Sequence, residues 1–538
     1  MKRVLGLLVV AALGATAEPA LAKPGPAPSA AAKDAAAKDA AAKDAATKDA
    51  ATKDAAAKDA ATPAGSDAAG EGAAAPAAPA APVTAPADTE QRMDDGLERL
   101  AGKDYEGAAT AFYGVYRALP ETDLRRDTAS FHLATALVEL GLTQAGVEHY
   151  IEVLVGRRVP ELLNKTLSSL KPLYEQHKVD EGRFVESVLY GSSYSELAPD
   201  VGDFVEYLQA LTDMKRGFRD WGRGRLETLS RAKRAYSFHA RYALGVDRLA
   251  RRDDETAAKD FRAIIAASEA PNDIKNDARI ALARILYEKK SYDEAWKVYS
   301  RVDVALPFKD VVMLEQAWDR VASGDEQRAL GVLVGLGAPV FRHLFSPERD
   351  LIKAMALRRL CQYRAAHVAV REFRASYGPV LQKIRDRAPL GDDPTMREWA
   401  SRGTRLLSEQ ARMRSILARE KNEAASVGDK ALIEHLDAVY TAGITRTDTA
   451  INRGMLRALD QVSDELLRVD EQMSLITYEI GAGLFKSGGD TANSVTANAL
   501  RPEDVPKGSP SVFFRFDGEY WSDEIGDYTV LSQNRCVR

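Results

Sequence analysis

The sequence predicts an all-α protein: a body of repeating helical hairpins, then a coiled-coil helical region, then a small β-like C-terminal tail. From Gln91 onward, apolar residues recur with helical spacing between short turns. Small residues return at positions 257, 295, 329 and 366, in steps of 38, 34 and 37. A seven-residue apolar stripe then runs from Met455 to Ile480. Strand-like alternation is confined to the end, where Ser511–Phe516 and Tyr528–Leu531 flank Asp517-Gly518-Glu519-Tyr520-Trp521.

Composition narrows the function classes. With 538 residues the chain is too long for one core, and alanine inflates its 45% apolar content. A formal charge of −5 rules out a globally basic nucleic-acid binder, so no nucleic-acid partner is expected. Two cysteines exclude a disulfide-dense scaffold and every multi-cysteine metal motif.

Residues 1–22 read as a secretory signal: Met1-Lys2-Arg3, the apolar Val4–Ala15, and Ala20-Leu21-Ala22 at the cleavage site. Lys23 follows in place of a lipid-accepting cysteine. No later segment is long and apolar enough to cross a bilayer, so the mature protein is expected to lack a transmembrane span. Alanine- and arginine-rich composition points to a high-GC bacterium, and hence to a periplasmic or secreted protein. Residues 23–89 form a low-complexity linker. Lys-Asp recurs six times at a period of five between Lys33 and Asp59, which spirals the charges around every side of a helix and leaves no face to dock. Thr62–Ala87 is Pro- and Ala-rich. The linker is either a tether or a neutral solubilising tail.

Residues 90–390 carry the repeats. Gly96, Tyr105, Ala108, Phe112 and Pro120 set a pattern; Ala283, Tyr292, Ala295, Tyr299 and Pro307 repeat it. Gly245, Ala257 and Phe261 form another copy, Ala317, Ala329 and Leu333 a fourth, and Ala354, Tyr363, Ala366 and Val370 a fifth. Weaker helical sequence surrounds Gly146 and Tyr150, and Pro160–Gly222 is diverged. These residues resemble the tetratricopeptide repeat, although the consensus Trp and Leu-Gly are mostly missing. The resemblance implies a helical-hairpin solenoid whose groove binds envelope proteins or peptides.

Residues 395–482 read as a coiled-coil helical region. Met455, Leu459, Val462, Leu466, Val469, Met473, Ile476 and Ile480 alternate steps of four and three. This seam pairs either with Leu406, Met413, Leu417, Leu432 and Leu436, through a turn at Gly443, or with another molecule; the intramolecular hairpin is favoured. Residues 483–510 form a linker, and 511–538 a short β-hairpin or docked tail.

No catalytic, cofactor or metal residues are expected. His132, His149, His177, His239, His343, His367 and His435 lack ligand spacing and read as surface or packing residues. Gly191-Ser192-Ser193 lacks the strand that a nucleophile elbow needs, and Gly488-Gly489 lacks the lysine of a phosphate loop. Asp517, Glu519, Asp523 and Glu524 imitate paired carboxylates on a segment too short to shape a cleft. Cys361 and Cys536 either pair in an oxidising compartment and pin the tail, or remain a buried and a loose thiol, the simpler reading. The one charge asymmetry is Lys215–Arg252, with twelve basic side chains against Asp220, Glu227 and Asp247. Arg216, Arg219, Arg223, Arg225, Arg231, Lys233 and Arg234, with Trp221, form a candidate partner surface for an acidic protein segment, lipid phosphate or an anionic wall polymer. Alternatively, their stems cover apolar surface.

The combined reading is a non-catalytic exported interaction scaffold. It resembles periplasmic tetratricopeptide-repeat components of bacterial envelope-spanning or motility complexes, gliding motility among them. Its rivals are an envelope enzyme that binds or hydrolyses wall polymer and uses the repeats as a docking platform, and a self-associating spacer.

Overall fold

The computed structural model describes residues 88–303, 309–341, 345–403, 405–486, 516–521, 524 and 526–536. The expected signal sequence, nearly all of the linker, Pro307, His343, Asp523 and residues 487–515 lie outside them. The described residues form nineteen α-helices and no strand. The fold is all-α.

Sixteen helices follow one another as eight helix–turn–helix units. The first four are α1 (Thr89–Ala101) with α2 (Tyr105–Ala118), α3 (Leu124–Glu139) with α4 (Thr143–Gly156), α5 (Pro160–Glu175) with α6 (Glu181–Phe184) and its π-helical continuation Val185–Leu189, and α7 (Pro199–Lys215) with α8 (Arg219–Arg231). The last four are α9 (Ser237–Ala250) with α10 (Asp254–Ala266), α11 (Asn272–Glu288) with α12 (Tyr292–Tyr299), α13 (Lys309–Ser323) with α14 (Glu326–Gly335), and α15 (Pro347–Arg359) with α16 (Tyr363–Arg385).

One turn serves all eight units. Lys103, Gly141, His177, Gly217, Arg252, Lys290, Gly324 and Cys361 each take a positive φ, at intervals of 34 to 40 residues. The next residue donates its N–H to the carbonyl five back: Asp104 to Arg99, Leu142 to Leu137, Lys178 to Leu173, Phe218 to Asp213, Asp253 to Arg248, Ser291 to Leu286, Asp325 to Arg320 and Gln362 to Leu357, all at 2.8–2.9 Å. This is the Schellman ending, in which a left-handed residue lets the chain reverse while still satisfying the last helical carbonyls. In five of the eight turns that residue is not glycine, so composition does not mark them. The diverged stretch from Pro160 to Gly222 therefore contains the same turn at His177 and Gly217.

Inside the units, small residues face bulky ones sixteen positions later. A Cβ on Gly96 or Gly245 would come within 2.7 Å of the Phe112 or Phe261 ring. Ala283 with Tyr299, Ala317 with Leu333, and Ala354 with Val370 occupy the same slots, and all six side chains are buried. Ala108, Ala257, Ala295, Ala329 and Ala366 are fully buried, and Tyr105, Tyr292 and Tyr363 each open the second helix of a unit. In the second and fourth units the contact is reversed. Gly146 and Gly222 lie on the second helix, against Ala134 and Val138 and against Ala210 and Met214.

Three further helices follow: α17 (Pro394–Gly403), α18 (Arg405–Ala424) and α19 (Lys430–Lys486). At 57 residues, α19 is about 85 Å long. Chain reversal occurs before it, where Gly428 is left-handed and Asp429 caps the Leu432 N–H at 2.8 Å, and not at Gly443. Gly443 is an interior helical residue that brings α19 close to Leu417. The heptad seam does not pair with the Leu432–Leu436 stripe. Met455 to Ile480 share a core with Leu351, Ile352, Phe373, Tyr377 and Leu381 of the eighth unit. Met413, Leu417, Leu432, Leu436 and Tyr440 pack instead with Phe112, Leu133 and Leu137 of the first two units. Leu406 is 41% exposed, and its neighbour Leu407 is the buried member. The favoured intramolecular hairpin does form between α18 and the first half of α19, with Leu417 on Gly443 and Leu407 on Gly454, while the heptad seam beyond it lies on the eighth unit as a strut. Its apolar period matches the ridge of another helix layer as well as it would match a second coil. No helix among the described residues is long and apolar enough to cross a membrane.

Candidate functional site

The basic cluster is largely neutralised, partly by its own Asp247 and Glu227 and partly by acids that lie outside its stretch of sequence. Arg225 pairs with Glu206 at 2.7 Å and Asp213 at 2.8 Å, and Arg234 with Asp203 at 2.9 Å. Arg223 holds Asp247 at 2.9 Å, which Arg251 also contacts, and Arg231 lies 3.6 Å from Glu227. Arg216 pairs with Glu186 and lies 3.5 Å above the Tyr190 ring. Among the described residues, Arg219 and Lys233 have no ion-pair partner and stand exposed. Trp221 is 77% exposed and Phe218 56%. The surface offered to a partner thus shrinks to Phe218 and Trp221 at the start of α8 with Arg219 between them in sequence, while Lys233 lies past the far end of that helix.

A cavity of about 500 Å³ opens where α19 crosses the second unit. Tyr116, Glu148, His149, Glu152, Arg183, His435 and Arg446 supply its polar lining. His149 and His435 meet Nε2 to Nε2 at 3.0 Å, so one ring must donate and the other accept. The Tyr116 hydroxyl donates to Glu152 at 3.0 Å, and Ser130 Oγ lies 3.1 Å from His149 Nδ1. Burial, reinforced by the neighbouring His149, pushes His435 down to about 4, and burial with the Glu152 charge pushes Tyr116 up to about 12. Burial also raises the Glu152 carboxyl, but the bonds from His149 and Tyr116 and the Arg126 charge outweigh it and leave it below its ordinary range. Arg183 and Arg446 converge on Glu148.

The arrangement ties α19 to the second unit. Ser130 is 1% exposed, so its hydroxyl meets no substrate, and it shares His149 Nδ1 with Glu152 instead of facing the opposite nitrogen. Among the described residues, no group of three or more His, Cys, Asp or Glu side chains is placed to hold a metal ion. The meeting of His149 with His435 was not legible in sequence, because 286 residues separate them. His132 stacks on Phe112, and His239 packs against Tyr207 and Tyr236. Near Gly191, the Leu189 and Ser192 carbonyls accept from the Gln209 amide, and no imidazole faces Ser192 or Ser193 among the described residues. The Glu519 carboxylate accepts the Asp517 N–H, closing a turn.

The described residues of the C-terminal segment form no strand, and the expected first strand, Ser511–Phe516, lies outside them except for Phe516. The segment's main chain bonds to α14 and to the turn between α15 and α16. Val530 donates to the Gln327 carbonyl at 3.1 Å, and Arg535 to the Leu360 carbonyl at 2.9 Å. Cys536 forms a disulfide with Cys361, with Cα atoms 5.0 Å apart. The simpler expectation of two thiols is thereby replaced by the bridge. No protein-family model matches the chain, and no curated protein matches it.

Proposed function

We propose that this protein is a non-catalytic, exported scaffold: a tetratricopeptide-like solenoid that binds partner proteins in a bacterial envelope or motility assembly. The recurrence of one Schellman turn eight times at 34 to 40 residues carries this proposal, because a regular turn with interlocked small and bulky residues favours stacked units with an extended binding surface. Export is supported by the signal-like residues 1–22 and by the Cys361–Cys536 bridge, which persists in oxidising compartments. Partner contact on α8 is assigned to Trp221 and Phe218, with Arg219 between them in sequence. Exposed aromatic anchors beside cations are the residue types that concentrate binding energy.

Photo-crosslinking in the native envelope tests this. A crosslinker at Phe218 is expected to capture a defined envelope protein, with capture lost in the Trp221→Ala, Arg219→Glu double variant. If that position and every other exposed repeat position capture nothing, or if the purified mature chain releases fragments from wall polymer, the scaffold assignment fails.

A further inference from the structure

The C-terminal segment sits on the body as a peptide ligand would. Residues 529–536 adopt neither helix nor strand, and Tyr528 and Val530 are half-buried while Thr529 between them is exposed. Recognition is directed mainly at its backbone. The Gln327 side-chain amide donates to the Ser532 carbonyl at 2.6 Å, and the Gln327 main-chain carbonyl accepts from Val530 at 3.1 Å. The Gln362 amide donates to the Gln533 carbonyl at 2.8 Å, and the Leu360 carbonyl accepts from Arg535 at 2.9 Å. These groups come from the start of α14 and from the turn between α15 and α16, so the turn edges of the seventh and eighth units act together. Gly331 completes the seat: a Cβ there would collide with the Tyr528 carbonyl, so the body's own sequence leaves room for a passing main chain. Such contacts tolerate many sequences, because every peptide carries the same carbonyls and N–H groups. Specificity then comes from apolar side chains two residues apart.

We propose that this edge, centred on Gln327, Gly331, Leu360 and Gln362, is an extended-peptide-binding surface. It is kept occupied in cis by residues 528–536, and reduction of Cys361–Cys536 opens it to an extended segment of a partner protein with apolar side chains two residues apart. The proposal deepens the scaffold reading by naming one seat for a partner. The opening step needs a dithiol reductant. One of its thiolates attacks a disulfide sulfur, the Cys361–Cys536 bond breaks, and a mixed disulfide forms. The second thiol then closes the reductant's own disulfide, so two electrons and two protons leave Cys361 and Cys536 as thiols. While the bond is intact the tail is held at its seat. After reduction it remains tethered through residues 487–515 at an effective concentration on the order of millimolar, so a partner competes with it instead of meeting an empty edge.

The test uses the full mature chain and a fluorescein-labelled peptide of residues 526–536 carrying Cys536→Ser, read by anisotropy. The oxidised chain is expected to bind no peptide, and the chain reduced with dithiothreitol to bind it. A reduced Val530→Asp chain, whose own tail is weakened, is expected to bind at least tenfold more tightly. Adding Gly331→Val or, separately, Gln362→Ala to that chain is expected to remove the gain while circular dichroism stays unchanged. Two such variants guard against a simple loss of folding. Equal binding by the oxidised chain, no binding by the reduced Val530→Asp chain, or reduction-induced dimers formed by tail exchange would each overturn the proposal. A partner crosslinked at Phe218 together with no peptide binding would leave the scaffold reading standing and remove only this seat.

Discussion

The first half of α19 meets the second unit through polar groups set around an apolar core of Leu432, Leu436 and Tyr440, whereas its second half meets the eighth unit mainly through an apolar seam. His435 bonds His149, Arg446 reaches Glu148, and Tyr440 donates to the buried Glu420 at 3.1 Å, where the Gln144 N–H also arrives at 2.8 Å. Toward the other end, eight residues from Met455 to Ile480 are each at most 6% exposed and touch mainly hydrocarbon. Apolar burial scales with area and is nearly indifferent to pH, whereas buried titratable groups stabilise only in the protonation state the site accepts. A single rod is therefore anchored mainly by hydrocarbon at one end, where Glu465, pushed up to about 7 by burial and the Glu348 charge, is the titratable exception, and by hydrocarbon plus pH-conditional polar contacts at the other.

The largest effect is expected at the apolar end. Leu466→Ala empties a fully buried site and should cost about 3 kcal/mol, within the usual range for such cavities, read as a fall in the urea midpoint that is the same at pH 5 and pH 7.5. A pH-dependent loss would erase the contrast between the two ends.

The polar end should respond to pH in two opposite senses. Burial pushes Glu420 up to about 7, with the Gln144 and Tyr440 bonds and Arg419 pulling it down and Glu423 up. A carboxyl raised in the folded state contributes stability below its unfolded value and loses it as pH climbs through about 7. His435 is depressed to about 4 by burial and His149, with Arg126 adding to the depression and Glu152 opposing it. Its contribution is present above the unfolded value near 6.5 and is lost as pH falls toward 4. Each term is on the order of 3 kcal/mol, and in the wild type they offset one another across the same window. Glu420→Gln should unmask the histidine, giving a chain that, relative to wild type, weakens on acidification below about 6.5. His435→Gln should unmask the glutamate, giving a chain that weakens relative to wild type as pH rises from about 4.3 to 7. Urea midpoints at four pH values check both; parallel profiles for the two variants would refute the assignment.

The smallest effects belong to ion pairs on the same rod. Arg446→Ala at the polar end and Arg468→Ala at the apolar end, whose guanidinium lies 3.1 Å from Glu348, remove partly exposed pairs. Each should cost under about 1 kcal/mol and fade in 0.5 M salt. A larger loss for Arg446→Ala alone would sharpen the contrast, placing the conditional anchor in the Glu148–Arg183–Arg446 group as well as in the histidines.

Much of this organisation was legible in the chain. The sixteen-residue pairing of Gly96 with Phe112 and of Gly245 with Phe261 follows from size alone, because a phenylalanine ring against a glycine leaves a mark at two fixed positions. The eight left-handed turns were hidden, since Lys103, His177, Arg252, Lys290 and Cys361 adopt a backbone state that no side chain announces. The charge count over Lys215–Arg252 was sound as arithmetic and misleading as a surface, because Glu186, Asp203, Glu206 and Asp213 arrive from helices outside it.

Helical period, small-to-large alternation and the heptad stripe of α19 are properties of near neighbours, written within a few turns of chain, and they dictate which elements form and which face each one buries. What that face is buried against depends on contacts between residues as far apart as His149 and His435 or Cys361 and Cys536. Local patterning cannot choose among equally apolar or equally charged partners, so the folded chain made those choices: the strut against the eighth unit, the neutralised arginines, and the tail drawn onto Gln327 and Gln362.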